Sequence, residues 1–263
     1  MPRQRIALGL EYDGSPFEGW QTQPHGQTVQ DALEGALGRF AGEALATVCA
    51  GRTDSGVHAR AQVVHFDTSR QRELQSWVRG VNRYLPDTVA VRWARAVDAA
   101  FHARYSARAR HYEYWILNDP VRSPLLDRRA GWVFRPLDLA AMRAAGALLV
   151  GTHDFTAYRS AQCQAANPVR TLTRCEVRAT GGSLVRLDFS ANAFLHHMVR
   201  NLVGALVEVG TGRRDPAWPA AVLAARDRRL GAPTITAAGL YFAGVEYDPA
   251  FGLPGTDEKW VMP

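Results

Sequence analysis

The stretch of the chain best suited to chemistry is residues 50–58, with the sequence AGRTDSGVH. It places a guanidinium, two hydroxyls, a carboxylate and two glycines within a few positions. Two interpretations fit Asp54. Asp followed by Ser-Gly is ordinary turn chemistry, because Asp bonds its own backbone and Gly supplies a positive φ. Alternatively, Arg52 keeps the carboxylate ionised and Asp54 is a nucleophile or a base, and a second Arg from elsewhere would strengthen that interpretation.

Two apolar segments flank this loop and predict how it is held. Residues 46–50 form a short buried-strand pattern, and residues 61–67 form a longer, β-branched one. A loop between two strands places Asp54 at the lip of a sheet, where the backbone is free to shape a site.

The first third of the chain has a β-α-β-β-α-β order, the split βαβ or ferredoxin-like arrangement. Thr28 and Asp31 form a capping-box-like start for the first helix, and Pro86 ends the second helix. The periodicity predicts strands over residues 6–12, 46–50, 61–67 and 89–93, and helices over residues 28–40 and 73–85.

The same order returns in the rest of the chain. We therefore predict an α+β protein with two tandem ferredoxin-like halves, residues 1–105 and 106–263, whose antiparallel sheets join beside a central cleft. Gly181 and Gly182 mark a hairpin between two strands of the second half. The patterns predict strands over residues 110–117, 172–177, 184–189 and after 239, and helices over residues 137–150, 196–209 and 219–225.

Composition and charge narrow the class of protein. The chain has 263 residues, 47% of them hydrophobic, enough for two ordinary domains with sizeable cores. A net charge of +6 favours polyanionic partners. Of the 31 cationic side chains only Lys259 is a lysine. A genome that encodes Arg in preference to Lys accounts for most of that skew, so the placement of the arginines matters more than their number.

The cysteine content and the hydropathy of the chain indicate in which cellular compartment the protein is found. No run approaches the ~20 apolar residues of a membrane span, and the N-terminus leads into a strand pattern rather than a signal-peptide core. We therefore expect a cytoplasmic protein. The chain has three cysteines, Cys49, Cys163 and Cys175. Because their number is odd and they form no C-x-x-C pair, they argue against a disulfide framework and against a structural zinc site.

A basic segment links the two predicted halves. Over residues 101–110 and just beyond, arginines alternate with tyrosines, namely Arg104, Tyr105, Arg108, Arg110 and Tyr112. Such a segment is typical of a nucleic-acid channel, and it is equally typical of a solvated connection.

Other catalytic patterns are absent. The chain contains no phosphate-binding P-loop, no dinucleotide-binding glycine motif and no G-x-S-x-G elbow. His196 and His197 begin a helical pattern, but adjacent histidines on a helix point in different directions and have no H-E-x-x-H context. We therefore expect no metal site.

Several separate motifs resemble those of the tRNA pseudouridine synthase A family. The resemblance spans residues 6–247, and it is specific because the motifs occur in the family's order. The tail over residues 248–263 lies outside it. The motifs are EYDG (11–14), GWQ (19–21), GRTDSGVH (51–58), FHAR (101–104), NAFLHHMVRN (192–201) and GLY (239–241).

This resemblance implies an activity and roles for particular residues. The family isomerises uridine to pseudouridine at positions 38, 39 and 40 of the tRNA anticodon stem-loop, without cofactor or metal, usually as a homodimer. Asp54 matches the catalytic aspartate of the family. Tyr112 matches the tyrosine that packs against the target base, and Arg200 matches the arginine that pairs with the aspartate.

The substrate adds a physical requirement. A stem uridine must leave its stack before a carboxylate can reach it, and a side chain that fills the vacated space offsets the few kcal/mol of flipping. Arg52 is the candidate for that role, because it lies two residues from Asp54. Arg104 and Arg110 are the candidates for binding the substrate.

Two rival functions fit parts of the sequence. Ferredoxin-like sheets commonly bind single-stranded RNA through exposed aromatics, but that reading leaves Asp54 unexplained, and residues 239–245 match the usual aromatic motif only loosely. A small-molecule enzyme could use the Asp54 loop, but the arginine-rich link would then be surplus. Salt dependence of tRNA binding separates these two rivals.

Overall fold

The computed structural model describes residues 3–255 of the chain, and its fold is α+β, as predicted. Residues 256–263, half of the tail outside the family resemblance, lie beyond the described part. In chain order, the strands and helices are β1 (Gln4–Tyr12), α1 (Val29–Ala41), β2 (Val48–Cys49), β3 (His58–Thr68), α2 (Leu74–Asn82), β4 (Val89–Val97), β5 (Ala109–Asn118), β6 (Gly131–Val133), α3 (Leu139–Ala147), β7 (Gly151–Asp154), β8 (Val169–Gly181), β9 (Leu184–Ala191), α4 (Met198–Gly210), α5 (Trp218–Ala225) and β10 (Leu240–Glu246).

The chain divides into two compact units. The first consists of the chain up to Ala109 together with the segment from Phe242 onward, and the second consists of Arg110–Tyr241. The division into residues 1–105 and 106–263 describes a repeat in the sequence and stays a prediction. Near the C-terminal end of the described residues, β10 pairs with β3.

The first unit is built on β1, whose residues Ile6, Leu8 and Leu10 are fully buried. β1 pairs antiparallel with both β3 and β4, so that Leu8 lies opposite Val64 and Ala94. The strand order is β4-β1-β3-β10, with the short β2 also paired to β3. β2 pairs with Val64 and His65 in the middle of β3, so the chain between them, which contains the Asp54 loop, leaves and returns to the same pair of strands.

The two helices of the first unit meet around one aromatic side chain. Trp77 of α2 is fully buried, with its ring 5.2 Å from that of Phe40 in α1 and 5.1 Å from that of Phe66 in β3. A side chain at Gly80 would collide with the Phe40 ring, so this glycine lets the helices approach. α1 begins as predicted, because the Thr28 hydroxyl accepts a hydrogen bond from the Asp31 backbone N–H at 3.2 Å.

The second unit has the strand order β5-β9-β8-β7, paired antiparallel, and β6 lies parallel beside β5. α3 packs on β8 and α4 packs on α3. α4 is anchored through buried Asn201, whose amide nitrogen donates to the Tyr158 carbonyl at 2.8 Å. The amide oxygen of Asn201 accepts from the Thr234 hydroxyl at 2.6 Å and from Arg228 at 3.0 Å.

Element types were predicted better than their bounds. The strand predicted over residues 46–50 is only Val48–Cys49, and the helix predicted over residues 73–85 ends at Asn82. Beyond Asn82 the backbone continues as a hydrogen-bonded turn, in which the N–H groups of Tyr84 and Leu85 donate to the Val81 carbonyl at 2.9 and 3.2 Å, and Pro86 follows. The Asn82 amide is hydrogen-bonded to the backbone of Val91 at 2.7 and 2.9 Å, which ties the end of the helix to β4. The short strands β6 and β7 were not predicted. Within residues 3–255, none of the helices is long and apolar enough to cross a membrane.

Candidate active site

The Asp54 loop joins β2 to β3 and is held by backbone hydrogen bonds on both sides of the carboxylate. The Trp20 N–H donates to the Thr53 carbonyl at 3.0 Å, and the Gly56 N–H donates to the Phe17 carbonyl at 3.2 Å. Within the loop, the Val57 N–H donates to the Asp54 carbonyl at 3.1 Å, which closes a turn. The turn chemistry predicted for this segment is therefore present, and it presents Asp54 half-buried at the protein surface.

Two glycines of the preceding motifs make this close approach possible. A Cβ at Gly14 would lie 2.0 Å from the Val57 carbonyl oxygen. A Cβ at Gly19 would lie 2.9 Å from the Thr53 carbonyl oxygen, and Gly19 also has φ of +88°, which L side chains rarely adopt. Residues 14–20 and the Asp54 loop therefore form one packed backbone structure.

A buried polar pair supports the loop from below. The Tyr12 hydroxyl and the Thr53 hydroxyl lie 2.9 Å apart, and both residues are buried. Burial raises the pKa of the Tyr12 hydroxyl, so Tyr12 stays a neutral hydrogen-bonding group. On the other side of the loop, the Gln62 amide donates to the Gly51 carbonyl at 2.7 Å.

His58, four residues after Asp54, is structural in this arrangement. It is buried, and its Nδ1 accepts a hydrogen bond from the Gly14 N–H at 3.1 Å. The same nitrogen lies 3.1 Å from the Asp13 carboxylate. These contacts tie the start of β3 to the end of β1.

Arg52 and Arg104 share one region of the first unit, and both are exposed. Burial raises the pKa of the Cys49 thiol to about 12, and the charges of Arg52 and Arg104 oppose that shift. Both guanidinium groups are therefore close enough to Cys49 to act on it electrostatically. Cys49 ends β2 just before the loop, so Arg52 and Arg104 both lie within electrostatic range of the strand that enters the loop.

Tyr112 and Arg110 lie at the start of β5 in the second unit. Tyr112 is 9% exposed, and its ring meets that of Phe194 edge-on at a centroid distance of 4.9 Å. Arg110 donates to the Asn192 carbonyl at 2.9 Å. The segment between β9 and α4 therefore holds both residues in place.

Arg200 lies in the first turn of α4. Its Nε donates to the Ile235 carbonyl at 2.9 Å, which fixes the direction of the side chain. The helix predicted from His196 begins at Met198. His197, the residue before it, has φ of +62°, and an α-helix cannot include that left-handed backbone conformation. His196 and His197 therefore precede the helix.

Phe194 and Thr53 were not assigned roles from the sequence, although both stand in the family motifs. Their importance depends on partners distant in the chain, Tyr112 for Phe194 and Tyr12 for Thr53. In the sequence, Tyr12 and Thr53 stand in two separate family motifs, and no local pattern indicates that their side chains are in contact.

Residues 10–106 and 145–248 match the family model described as tRNA pseudouridine synthase. The chain belongs to the tRNA pseudouridine synthase family. The matched segments contain Asp54, Arg52, Arg104 and Arg200, and the strand that carries Tyr112 lies between them.

Curated relatives agree with this family over nearly their whole length. The protein named tRNA pseudouridine synthase A from Bordetella petrii is 60% identical over 255 residues, which cover 96% of this chain and 95% of the relative. The relatives of the same name from Herminiimonas arsenicoxydans and Dechloromonas aromatica are 55% and 54% identical, covering 97% and 98% of this chain and 94% and 98% of their own. The chain is accordingly an isomerase of the tRNA pseudouridine synthase family, and its substrate is tRNA.

Proposed function

We propose that the chain isomerises uridine to pseudouridine at positions 38, 39 and 40 of the tRNA anticodon stem-loop, with Asp54 as the catalytic carboxylate. The observation that carries the proposal is a half-buried carboxylate on a loop held by backbone bonds to residues 14–20. A group held in one position can act on a base without reorganising. The tRNA positions rest on the resemblance to tRNA pseudouridine synthase A.

The reaction itself sets what the residues must do. The glycosidic bond from N1 of uracil to C1′ of ribose breaks, the ring turns, and a bond from C5 to C1′ forms. The hydrogen on C5 leaves as a proton and a proton is taken up at N1, so no oxidant or reductant is needed. Asp54 acts by attacking the sugar or the base, or by removing a proton from the sugar.

Each of these routes begins with an ionised carboxylate. We propose that Arg200 supplies the cation that keeps Asp54 ionised while bound RNA excludes water. The hydrogen bond from Arg200 to the Ile235 carbonyl supports a fixed guanidinium. We propose that Tyr112 packs on the target base, and the edge contact with Phe194 supports a ring held in one orientation.

Arg52 is proposed to assist base flipping. It is exposed on the same loop as Asp54, so its side chain can enter a helical stack without moving the carboxylate. We predict that Arg52→Ala slows single-turnover conversion of bound tRNA by roughly tenfold or more and changes the tRNA Kd little. This result would separate base flipping from phosphate binding. Weak binding with normal turnover of bound tRNA would instead assign Arg52 to phosphate anchoring.

Arg104 and Arg110 are proposed to bind the phosphate backbone on either side of the flipped nucleotide. We also propose a homodimer, as the resemblance implies, and a cytoplasmic location, because the substrate is tRNA. Sedimentation of the free protein at several concentrations tests the dimer directly.

The main experiment measures tritium release from C5 of uridine in an unmodified tRNA transcript, with tRNA binding measured in parallel. We predict that Asp54→Asn lowers the single-turnover rate by roughly 10³-fold or more and leaves the Kd for tRNA within a few-fold of wild type. Asp87→Asn is the matched control, because Asp87 is an exposed carboxylate in the turn before β4 of the same unit.

Each result decides between functions. Release by the wild type and by the Asp87 control, but not by Asp54→Asn, supports the proposed reaction. Binding by all three proteins without release from any would favour a non-catalytic RNA-binding protein. Equal release from all three would place the chemistry elsewhere in the chain.

A further inference from the structure

Tyr105 is unusually exposed for an aromatic residue in an ordered turn. It follows Arg104 in the segment that links the predicted halves, and 75% of its surface is accessible, against 47% for Trp132 and 54% for Phe134. Single exposed aromatic rings are common on protein surfaces, so the exposure by itself shows only that a ligand can reach the Tyr105 ring.

The Tyr105 ring is held in one orientation despite this exposure. It stacks on the ring of His102 at a centroid distance of 4.3 Å and an interplanar angle of 26°. The His102 ring in turn lies 4.8 Å from that of His65, which extends from β3. A partner that stacks on Tyr105 therefore meets a ring whose orientation is already set.

Backbone hydrogen bonds fix the turn beneath the ring. The N–H groups of Arg104 and Tyr105 both donate to Nδ1 of His102, at 3.2 and 3.1 Å. The Ala103 N–H donates to Nδ1 of His65 at 3.1 Å, and the Tyr247 hydroxyl donates to the Ala103 carbonyl at 2.7 Å. The platform formed by His65, His102 and Tyr105 is thus part of the folded unit.

The rings of the platform carry no charge, and a guanidinium lies next to them. Burial lowers the pKa of His102, with the charge of Arg5 adding to the effect, and Nδ1 accepts hydrogen bonds as only a neutral ring can. The guanidinium of Arg104 lies over the Tyr105 ring at 5.5 Å from its centroid. An aromatic ring with a guanidinium beside it is a combination that binds a base and its phosphate.

The platform is connected to the Asp54 loop through β2. Val48 of β2 is paired with His65 of β3, so the base of the platform is next to the strand that enters the loop. The charges of Arg52 and Arg104 both act on the pKa of the Cys49 thiol, so both guanidinium groups lie within electrostatic range of the residue that ends β2.

We propose that Tyr105 stacks on an unpaired base of the bound tRNA, with His102 supporting the ring from beneath and Arg104 contacting the adjoining phosphate. The inference rests on the proposed function, because it takes tRNA as the ligand. It assigns to Tyr105 the role of a positioning residue that holds a nucleotide near the Asp54 loop. Stacking reads no particular base, so this contact supports the use of several tRNAs.

The test compares variants of the full chain with an unmodified tRNA transcript. Tyr105→Leu, which keeps apolar area but removes the π face, is expected to weaken the tRNA Kd by roughly tenfold or more, whereas Tyr105→Phe stays within about twofold of wild type. The slope of log Kd against log salt should be unchanged in Tyr105→Leu. In Arg104→Ala that slope should fall in magnitude by about 0.7–0.9, the loss of one phosphate contact.

Tyr84→Leu is the matched control, because Tyr84 is also a tyrosine of the first unit with a guanidinium, that of Arg39, 4.5 Å over its ring. It should bind tRNA as the wild type does.

Wild-type affinity of Tyr105→Leu would overturn the inference. Equal weakening of the tRNA Kd by Tyr105→Phe would also overturn it, because the contact would then be a hydrogen bond from the hydroxyl. A changed oligomeric state in Tyr105→Leu that accounts for its weaker binding would assign the ring to a protein contact. Failure of the wild type to release tritium would overturn the proposed reaction, while the Kd comparison would still decide the role of Tyr105.

Discussion

At the scale of single residues, the position of Asp54 depends on groups that do no chemistry. The hydroxyls of Tyr12 and Thr53 form a buried pair under the loop, and Gly14 and Gly19 allow backbone to pass within contact distance of it. A catalytic carboxylate displaced by about 1 Å loses up to about 10²-fold in rate. These four residues should therefore affect activity through geometry.

Gly19 offers the clearest test of that idea. We predict that Gly19→Ala lowers the single-turnover rate of tritium release by roughly 10- to 100-fold, because its Cβ would lie 2.9 Å from the Thr53 carbonyl oxygen and push the loop away. Alanine is strained at this positive φ, so Gly19→Ala should also lower the free energy of unfolding by about 1–2 kcal/mol. Single-turnover kinetics and urea unfolding measure the two effects separately.

Gly26 provides the matched control. It also has a positive φ, of +69°, but a Cβ there would meet no atom within 4 Å. Gly26→Ala should therefore lose comparable stability and keep its activity. Equal loss of activity in both variants would mean that backbone strain, and not the position of the Asp54 loop, explains the effect.

At the scale of elements, β3 connects the loop to the core of the first unit. It begins at His58, directly after the loop, and carries Gln62, which bonds the Gly51 carbonyl. It also carries His65, which accepts a hydrogen bond from the linking segment at Ala103. One strand therefore positions both the loop and the Tyr105 platform.

His65 makes the stability of this unit depend on pH. Burial, with the charge of Arg5 adding to it, lowers the pKa of His65 to about 4 from an ordinary 6.5. As pH falls from 6.5 towards 4, the unfolded chain takes up a proton that the folded chain refuses, so stability is lost in that window. We predict that the free energy of unfolding drops by about 2 kcal/mol from this residue between pH 7 and pH 5.

His65→Asn isolates the contribution. Asn places an acceptor oxygen where Nδ1 of His65 stands and does not titrate, so the bond from Ala103 can be kept. Urea unfolding at pH 7 and pH 5 should show a smaller loss for the variant by about the same 2 kcal/mol. Parallel losses in the two proteins would contradict the assignment to His65.

At the scale of the whole molecule, the net charge of +6 acts on a polyanionic substrate. If Arg104 and Arg110 neutralise two phosphates, the slope of log K against log salt is about −1.4 to −1.8. We predict that tRNA binding weakens roughly 7- to 12-fold between 50 and 200 mM salt. Filter binding at four salt concentrations measures the slope, and binding insensitive to salt would rule out phosphate anchoring by these arginines.

Much of the fold could be predicted because its signals are local. Alternation along β1, the capping pair Thr28 and Asp31, and the glycines at the β8–β9 turn each involve residues within a few positions. Bounds were less predictable, because tertiary contacts set them. β2 is shorter than its apolar pattern because only Val48 and Cys49 pair with β3, and α4 begins after the left-handed backbone of His197.

The sequence by itself determined the order of the longer helices and strands, the loop that carries Asp54 and the family motifs, because periodicity, capping and turn chemistry act over short stretches of chain. Only the tertiary structure decided that β10 pairs with β3, that Thr53 meets Tyr12, and that Tyr105 stacks on His102 over His65. Strand pairing and ring contacts join residues far apart in the chain, and their partners are chosen by the packing of the whole unit rather than by any local pattern.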